Sequence, residues 1–471
     1  MRWIDLDALR ALLGAGALAA LAGCAGFSPD GGFTPIQKAA QAHLDKQVDW
    51  AHTPEQRGEL DARVAELLIR PLTADAAVQV ALFNNRELQA AFFELGVSEA
   101  ELVQAGRLPN PGFSFGALAR GSEREVERGA HFNLARLIAL PASRRLESAR
   151  FESVQRRITA QMLGLAADVR KAWVMALAAD ESVRYTAKVR AAADASAELA
   201  RRMAAAGNWN TLDQAREQSF AADAAQGVAR AQRAQVMARE RLTRLLGLWG
   251  EQTAFRLPER LPDLPKQPQD TPDVEQRALA SRLDVQAARL DTEALARSLG
   301  LTRSTRFVNV LELGAVRNSS NELPTQRGVE VSVELPLFDW GEARIARAEA
   351  LYMQSVNRTA QVAVDARSQV REAYLGYRNA FDVARHQFEV VLPLRRRISD
   401  ETLLRYNGML IGVFELLADT KQQIAAVNNG IEALRDFWLA EADLQMAMLG
   451  KPSMSIASGP RATEAAAGAA H

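Results

Sequence analysis

Apolar positions recur at helical spacing over most of this chain, and only four short stretches alternate with a period of two. The segment "AAVQVALFNNRELQAAFFELGVSEAELVQAGR" reads as one helix, with Thr73 or Asp75 as its cap. "LPNPG" stops it at Pro109 and Pro111. "GFSFGALAR" and "AHFNLARLIAL" follow as a strand pair, and the polar "GSEREVERG" between them reads as a charged hairpin loop. Pro141 restarts the chain as a helix, and no proline occurs from Ala142 to Leu257. Gly207-Asn208 is the one plausible reversal in that stretch, so two long antiparallel helices meet at a tip near Gly207 to Asn210. The first, Ala142 to Ala206, holds 65 residues. It would span roughly 100 Å at 1.5 Å per residue, which no compact globular domain accommodates.

The plan then repeats. "RELQAA" is echoed by "LDVQAA", "IALPASRRLESARFE" by "VELPLFDWGEARIARAEA", "RRMAAAGNWNTLDQ" by "LLRYNGMLIGVFELL", and "LTRLLG" by "LQMAMLG". The four pairs keep their order at an offset of about 200 residues, so this is one duplication and not a solenoid array. The second copy predicts a helix from Val274 to about Arg303 and strands near Arg306–Val316 and Arg327–Leu335. Helices from Gly341 to Tyr406 and from Gly412 to Leu449 complete it, with a kink at Pro393. Pro258, Pro262, Pro265, Pro268 and Pro272 make the connection between copies an extended linker. The expected division is a signal peptide (1–23), a lipidated N-terminal segment and tether (24–72) and a first repeat (73–250). A proline-rich linker (251–273), a second repeat (274–450) and a disordered tail (451–471) follow.

Four strands cannot close a membrane barrel, and an open sheet edge is not tolerated in lipid. "VEVSVEL" sets Val329, Val331, Val333 and Leu335 against Glu330, Ser332 and Glu334, as a barrel wall with a wet lumen would. The other strands alternate less cleanly, and Arg136 and Glu312 do not fit a lipid-facing position. A small soluble sheet capping a helical bundle therefore stays open at this point. If the sheet is a membrane wall, several chains must pool their strands.

Charge narrows the partners. Lys plus Arg and Asp plus Glu number 57 each, which leaves no basic field to collect nucleic acid. Cys24 is the only cysteine, so no intramolecular disulfide or thiolate cluster forms, and five scattered histidines suggest no metal site. No cofactor is expected. Ala11 to Leu21 is an apolar run too short to span a bilayer but suited to a secretory signal core. It ends in Leu21-Ala22-Gly23-Cys24, which resembles a bacterial lipobox, with cleavage between Gly23 and Cys24 and lipidation of Cys24. Ala25 is not Asp, which in enteric-type bacteria implies the outer membrane.

The ordered set "LPNPGFSF", "VELPLFDWGEARIARAEA", "RYNGMLIGVFELLADTKQQIAAVNNGIEALRDFWLAEADLQMAMLG" and "RRMAAAGNWNTLDQAREQSF" resembles the TolC-type outer-membrane efflux factors, especially the lipid-anchored branch that works with resistance-nodulation-division (RND) pumps. The resemblance covers about Thr73 to Gly450. It implies a mainly α fold with a small β part. Three chains would form a homotrimer with a shared twelve-stranded barrel in outer-membrane lipid and a tube of helices in the periplasm. It further implies a passive exit duct without an active site, a periplasmic adaptor (membrane fusion protein) docked at the tip, and an inner-membrane RND-type pump. Gly207, Asn208, Gly408 and Gly412 would turn at the periplasmic tips, where glycine suits positive φ. Glu415 and Asp419, four apart on one helix face, are candidate aperture acids. Asp213 is a third candidate, although it could equally serve as an N-cap. All three could also be solvated surface charges. A periplasmic coiled-coil or adaptor-like lipoprotein without a pore is the alternative reading. An enzyme is disfavoured, because no GxSxG, HExxH, P-loop or Cys–His pair occurs. The cargo, metal ions or drugs and solvents, stays open.

Overall fold

The computed structural model describes residues 26–307, 310–334 and 336–452. The signal peptide, Gly23 and Cys24 lie outside the described residues, as does the tail beyond Pro452. In chain order the elements are α1 (Thr34–Leu44), α2 (Pro54–Ile69), α3 (Ala74–Asn84), α4 (Arg86–Ala105), β1 (Gly112–Arg120), β2 (Glu123–Asn133), α5 (Leu134–Ala205) and α6 (Thr211–Leu246). The second repeat gives α7 (Val274–Ser281), α8 (Leu283–Ser304), β3 (Leu311–Ser320), β4 (Gln326–Val333), α9 (Glu342–His386), a π-helical turn (Gln387–Val391), α10 (Leu392–Asn407) and α11 (Val413–Leu449). Helix pair, strand hairpin, long helix and return helix thus occur twice, with a pair where each repeat was expected to have one helix. Among the described residues no helix is long and apolar enough to cross a membrane.

Two compact units form, and each repeat contributes to both. One holds the described residues up to Lys38 with Ala90–Thr159 and Leu283–Val364. Its centre is an antiparallel sheet in the order β1-β2-β3-β4, so the hairpins of the two repeats join through β2 and β3. Gly121, at φ 63°, makes the tight β1–β2 turn. Asn321 ties the two hairpin ends together: its Oδ1 accepts from the Arg124 amide (2.7 Å) and its Nδ2 donates to the Ser122 carbonyl (2.9 Å).

Two expectations for this unit are corrected. "EREVERG" is strand and not loop, because its charges themselves alternate with a period of two. The second strand ends at Asn133, and "LARLIAL" is already helix, so Arg136 belongs to α5 and not to the sheet. Asn133 Oδ1 accepts from the Arg136 amide (2.8 Å), which caps that helix. Pro141 therefore lies inside α5, where its missing N–H forgoes the ladder bond to the Leu137 carbonyl.

The other unit holds Ala39–Gln89, Ala160–Arg282 and the described residues from Asp365 onward. Much of the stretch expected as a tether is folded. Leu44, Leu60 and Val64 are buried, and Thr53 with Gln56 forms a capping box at α2. Thr73, not Asp75, caps α3. The single helix expected after it is broken at Asn85, which adopts extended backbone and caps the next helix by accepting from the Leu88 amide (3.0 Å). Helix α6 ends beside this break. Asn85 Nδ2 donates to the Leu245 carbonyl (3.0 Å), and Asn84 Nδ2 donates to those of Leu246 (3.0 Å) and Gly247 (2.7 Å). The last carbonyls of a helix lack intrahelical donors, and these amides supply them.

The second repeat solves the same problem with different chemistry. Arg282, almost fully buried, breaks α7 from α8 and donates to the Ala447 carbonyl (3.2 Å) at the end of α11, while Ser281 Oγ donates to that of Met448 (2.8 Å). Arg282 and Asn85 stand at matching positions, since Gln89 and Gln286 share their offset. The core beneath is aromatic: Tyr377, Phe381 and Phe437 pack at ring distances of 5.6 and 5.8 Å. The proline-rich linker is pinned by Trp438 Nε1 donating to the Pro262 carbonyl (3.0 Å) and by the Gln269 amide donating to Tyr377 Oη (2.9 Å). A kink was expected at Pro393; just before that proline the helix passes through a π-helical turn, Gln387–Val391, with right-handed helical backbone on either side. Its widened ladder lets the proline ring avoid the carbonyl of Glu389 four residues back.

Gly247→Ala tests the α6 terminus. Gly247 has φ 67°, and an added Cβ would sit 2.8 Å from the Asn84 carbonyl oxygen. The left-handed penalty alone is about 1–2 kcal/mol. Thermal unfolding followed by circular dichroism is expected to show a lower midpoint for this variant, and a slightly higher one for Gly227→Ala, where nothing lies within 4 Å and alanine is the better helix former.

Candidate conduit wall and hairpin tips

Cross-strand partners share a face, so the register sorts the sheet residues into two sets. One face carries Phe113 and Phe115 from β1 and Val126, Ala130 and Phe132 from β2. It continues with Leu311, Leu313 and Ala315 from β3 and Val329, Val331 and Val333 from β4. Phe113 and Phe115 are 80% and 72% exposed, and Val329 is 76% exposed, so this side of the sheet is uncovered in the single chain. Its charged residues are Arg124, Arg128, Arg317 and Arg327. The opposite face carries Glu123, Glu125, Glu127, Glu312 and Glu330, with Arg120 directly opposite Glu123. Glycines 112, 116, 129, 314 and 328 also lie on it. At Gly112 the room is used: an added Cβ would meet the His131 ring at 2.1 Å. The corrected end of β2 makes that strand alternate, and Glu312 lies on the acidic side, which Leu118 and Val316 share.

Such a sheet has one largely apolar, uncovered face and one that carries its glutamates. It is also incomplete. Among the described residues β1 pairs with β2 alone and β4 with β3 alone, so each outer edge has free backbone donors and acceptors.

The tips belong to the other unit. Gly207 turns the first at φ 74°, and the Asn208 amide donates to the Met203 carbonyl (2.9 Å), closing α5. Asn210 is the N-cap of α6. Asp213 is therefore not the cap. Its amide donates to Asn210 Oδ1 (2.8 Å), and its carboxylate accepts from Asn210 Nδ2 (2.6 Å) and pairs with Arg216 (3.1 Å). At the second tip neither glycine has positive φ. Gly408 sits at −79° and Gly412 at −84°, and the left-handed residue is Met409 at 58°. Gly408 ends α10, Gly412 precedes α11, and the Leu410 amide donates to the Arg405 carbonyl (2.9 Å). Trp209 and Phe414 pack with ring centroids 4.9 Å apart, joining the two tips. Glu198, held by Arg201 and Arg202, has its carboxyl pKa lowered to about 2.

Glu415 and Asp419 sit four apart as expected but in different surroundings. Glu415 is exposed, whereas Asp419 is buried with Oδ2 lacking a hydrogen-bond partner. A charged group not anticipated from sequence lies close by in the chain. Glu217, 4% exposed, accepts from Ser196 Oγ (2.8 Å) and Lys421 Nζ (3.0 Å), and that ammonium stands 4.4 Å from the Phe220 ring. The bond joins α6 to α11. Its sequence signal was an acid with no partner at helical spacing, which spacing alone does not resolve. Among the described residues no group of three or more His, Cys, Asp or Glu could hold a metal ion.

The fold is that of the TolC-type outer-membrane channels. The structure matches CusC, a transmembrane channel, at TM-score 0.65 and 18% identity over 81% of this chain and 93% of that one. It matches the outer membrane protein VceC of Vibrio cholerae at TM-score 0.66 and 14% identity, over 82% and 96%. In sequence it is similar to the cobalt-zinc-cadmium resistance protein CzcC of Cupriavidus metallidurans, 27% identical over 284 residues. That alignment spans 59% of this chain and 66% of CzcC. No family model matches.

The Glu217–Lys421 pair makes a stability prediction. Lys421→Met leaves a buried carboxylate supported by Ser196 alone, a loss of up to about 3 kcal/mol. Hydrogen exchange is expected to accelerate through the facing turns of α6 and α11 in that variant. Slow exchange is expected to return in the double variant Glu217→Gln, Lys421→Met.

Proposed function

We propose that this chain is the outer-membrane exit duct of a tripartite efflux system, passively conducting cations handed on by an inner-membrane RND-type pump through a periplasmic adaptor. The observation that carries it is the sheet: an uncovered apolar face, an acidic face and two unpaired edges. Three copies joined edge to edge give twelve strands, enough for a closed barrel, and closure is the only way such a sheet satisfies its backbone in lipid. The apolar face then meets lipid and the glutamates line the lumen, where carboxylate rings favour cations. Similarity to a cobalt-zinc-cadmium resistance protein supports divalent metal ions as the cargo. Long helix pairs turning at Gly207 and Met409 supply the periplasmic part, with the adaptor at its tips. Lipidation at Cys24 would add an anchor to the outer membrane. Glu415, exposed just past the second tip, is the best placed of the three aperture candidates; Asp419 is buried, and Asp213 is bonded to Asn210 and Arg216 of its own chain.

Reconstitution of the full chain into planar bilayers tests this reading. Discrete conductance steps with cation preference are expected. Glu127→Gln with Glu330→Gln is expected to reduce that preference while leaving the steps. Absence of steps from folded protein would favour a structural or adaptor-like lipoprotein without a pore.

A further inference from the structure

The apolar face of the sheet contains an arrangement that the duct does not need. Arg128 lies directly opposite Arg317, and Arg317 directly opposite Arg327, so three guanidinium groups form one row across β2, β3 and β4. All three are exposed. Like charges facing each other across strands are destabilising unless something lies between them. Nothing among the described residues does. No acid shares their face, because every strand glutamate is on the other side. Among the described residues no ion pair engages any of the three. A second copy joined at the edges would not help either, since β1 presents Phe113, Phe115, Ala117 and Ala119 on that face.

The row has a defined depth. On β4 the same face runs from Arg327 through Val329 and Val331 to Val333, so the row stands at one end of an apolar stretch of four residue steps, about 13 Å along the strand. The strand ends beyond Val333 lead to the helices, and the row lies toward the hairpin turns, away from them. Arginine on a lipid-facing wall costs several kcal/mol at the bilayer midplane but little at an interface. The row therefore marks where hydrocarbon ends on the side remote from the helices. In that layer the available anions are lipid phosphates, which guanidinium binds in a bidentate fashion.

We propose that Arg128, Arg317 and Arg327 form a docking site for phosphate-bearing headgroups of the outer leaflet, with Arg124 one row nearer the turns as a flanking contact. This rests on the barrel reading above. Three copies would carry three such rows, each neutralised by lipid and not by protein. The bound lipid would fix the depth of the barrel and relieve the repulsion across the strands.

Native mass spectrometry of the full-length protein, extracted in neutral detergent and mixed with bisphosphorylated or dephosphorylated lipid A, tests the proposal. The wild type is expected to retain the phosphorylated form at least about tenfold better, because the discrimination comes from charge-assisted bonds. Arg128→Gln, Arg317→Gln, Arg327→Gln is expected to lose that discrimination, and Arg317→Gln alone, at the centre of the row, to weaken it if the triple variant does not assemble. Equal retention of both lipids by the wild type, or unchanged discrimination in the variants, would overturn it. Planar-bilayer conductance of the same samples separates the two readings. Steps without phosphate discrimination refute the headgroup site alone, and no steps from the wild type refute the barrel.

Discussion

The constraint on which the rest depends is backbone hydrogen bonding at the edges of a four-stranded sheet. A soluble sheet with open edges leaves those groups to water. This sheet turns an uncovered row of Phe, Leu and Val outward on one face, and a medium that accepts that face supplies no hydrogen bonds. The two requirements meet only if the edges find one another in further copies. The acidic, glycine-bearing face then becomes an enclosed surface, and five glutamates per chain become a lining. One geometric fact, the period-two register, sets the apolar face, the acidic face and the arginine row together.

The duplication shows how the helical part is held. Each repeat breaks its first helix at one residue and uses that break to cap the end of its last helix. In the first repeat the donors are the carboxamides of Asn84 and Asn85, in the second the Arg282 guanidinium and the Ser281 hydroxyl. The side chains differ, but the duty is the same: donors for carbonyls that a helix terminus leaves unbonded. The tips diverge similarly. A glycine supplies the left-handed residue at the first and a methionine at the second.

Much of this was legible in the sequence. The order of elements, the duplication, the proline-rich connection and both tips follow from periodicity and from where proline and glycine stand. Errors came where two signals competed. "EREVERG" looks like a loop by polarity and like a strand by alternation, and alternation won because both faces of this sheet accept charge at the turn end. Pro141 looked like a helix start, but Asn133 eight residues earlier is the cap. The helix break at Asn85 was hidden because Asn-Asn at helical spacing gives no steric stop; its cause is a partner more than 150 residues away in the chain. At the tips, spacing put Glu415 and Asp419 on one helix and could not show that packing buries only the second. The Glu217–Lys421 pair was likewise invisible, since it joins helices from different repeats.

The count of chains in the particle bears most directly on the whole. Analytical ultracentrifugation of the detergent-extracted protein, matched for detergent density, gives that number without assuming a channel. Three copies per particle are expected, with no folded single-chain species at the lowest concentrations reached. A stable lone chain whose four strands stay ordered would contradict it, because its edges would then be satisfied without any neighbour.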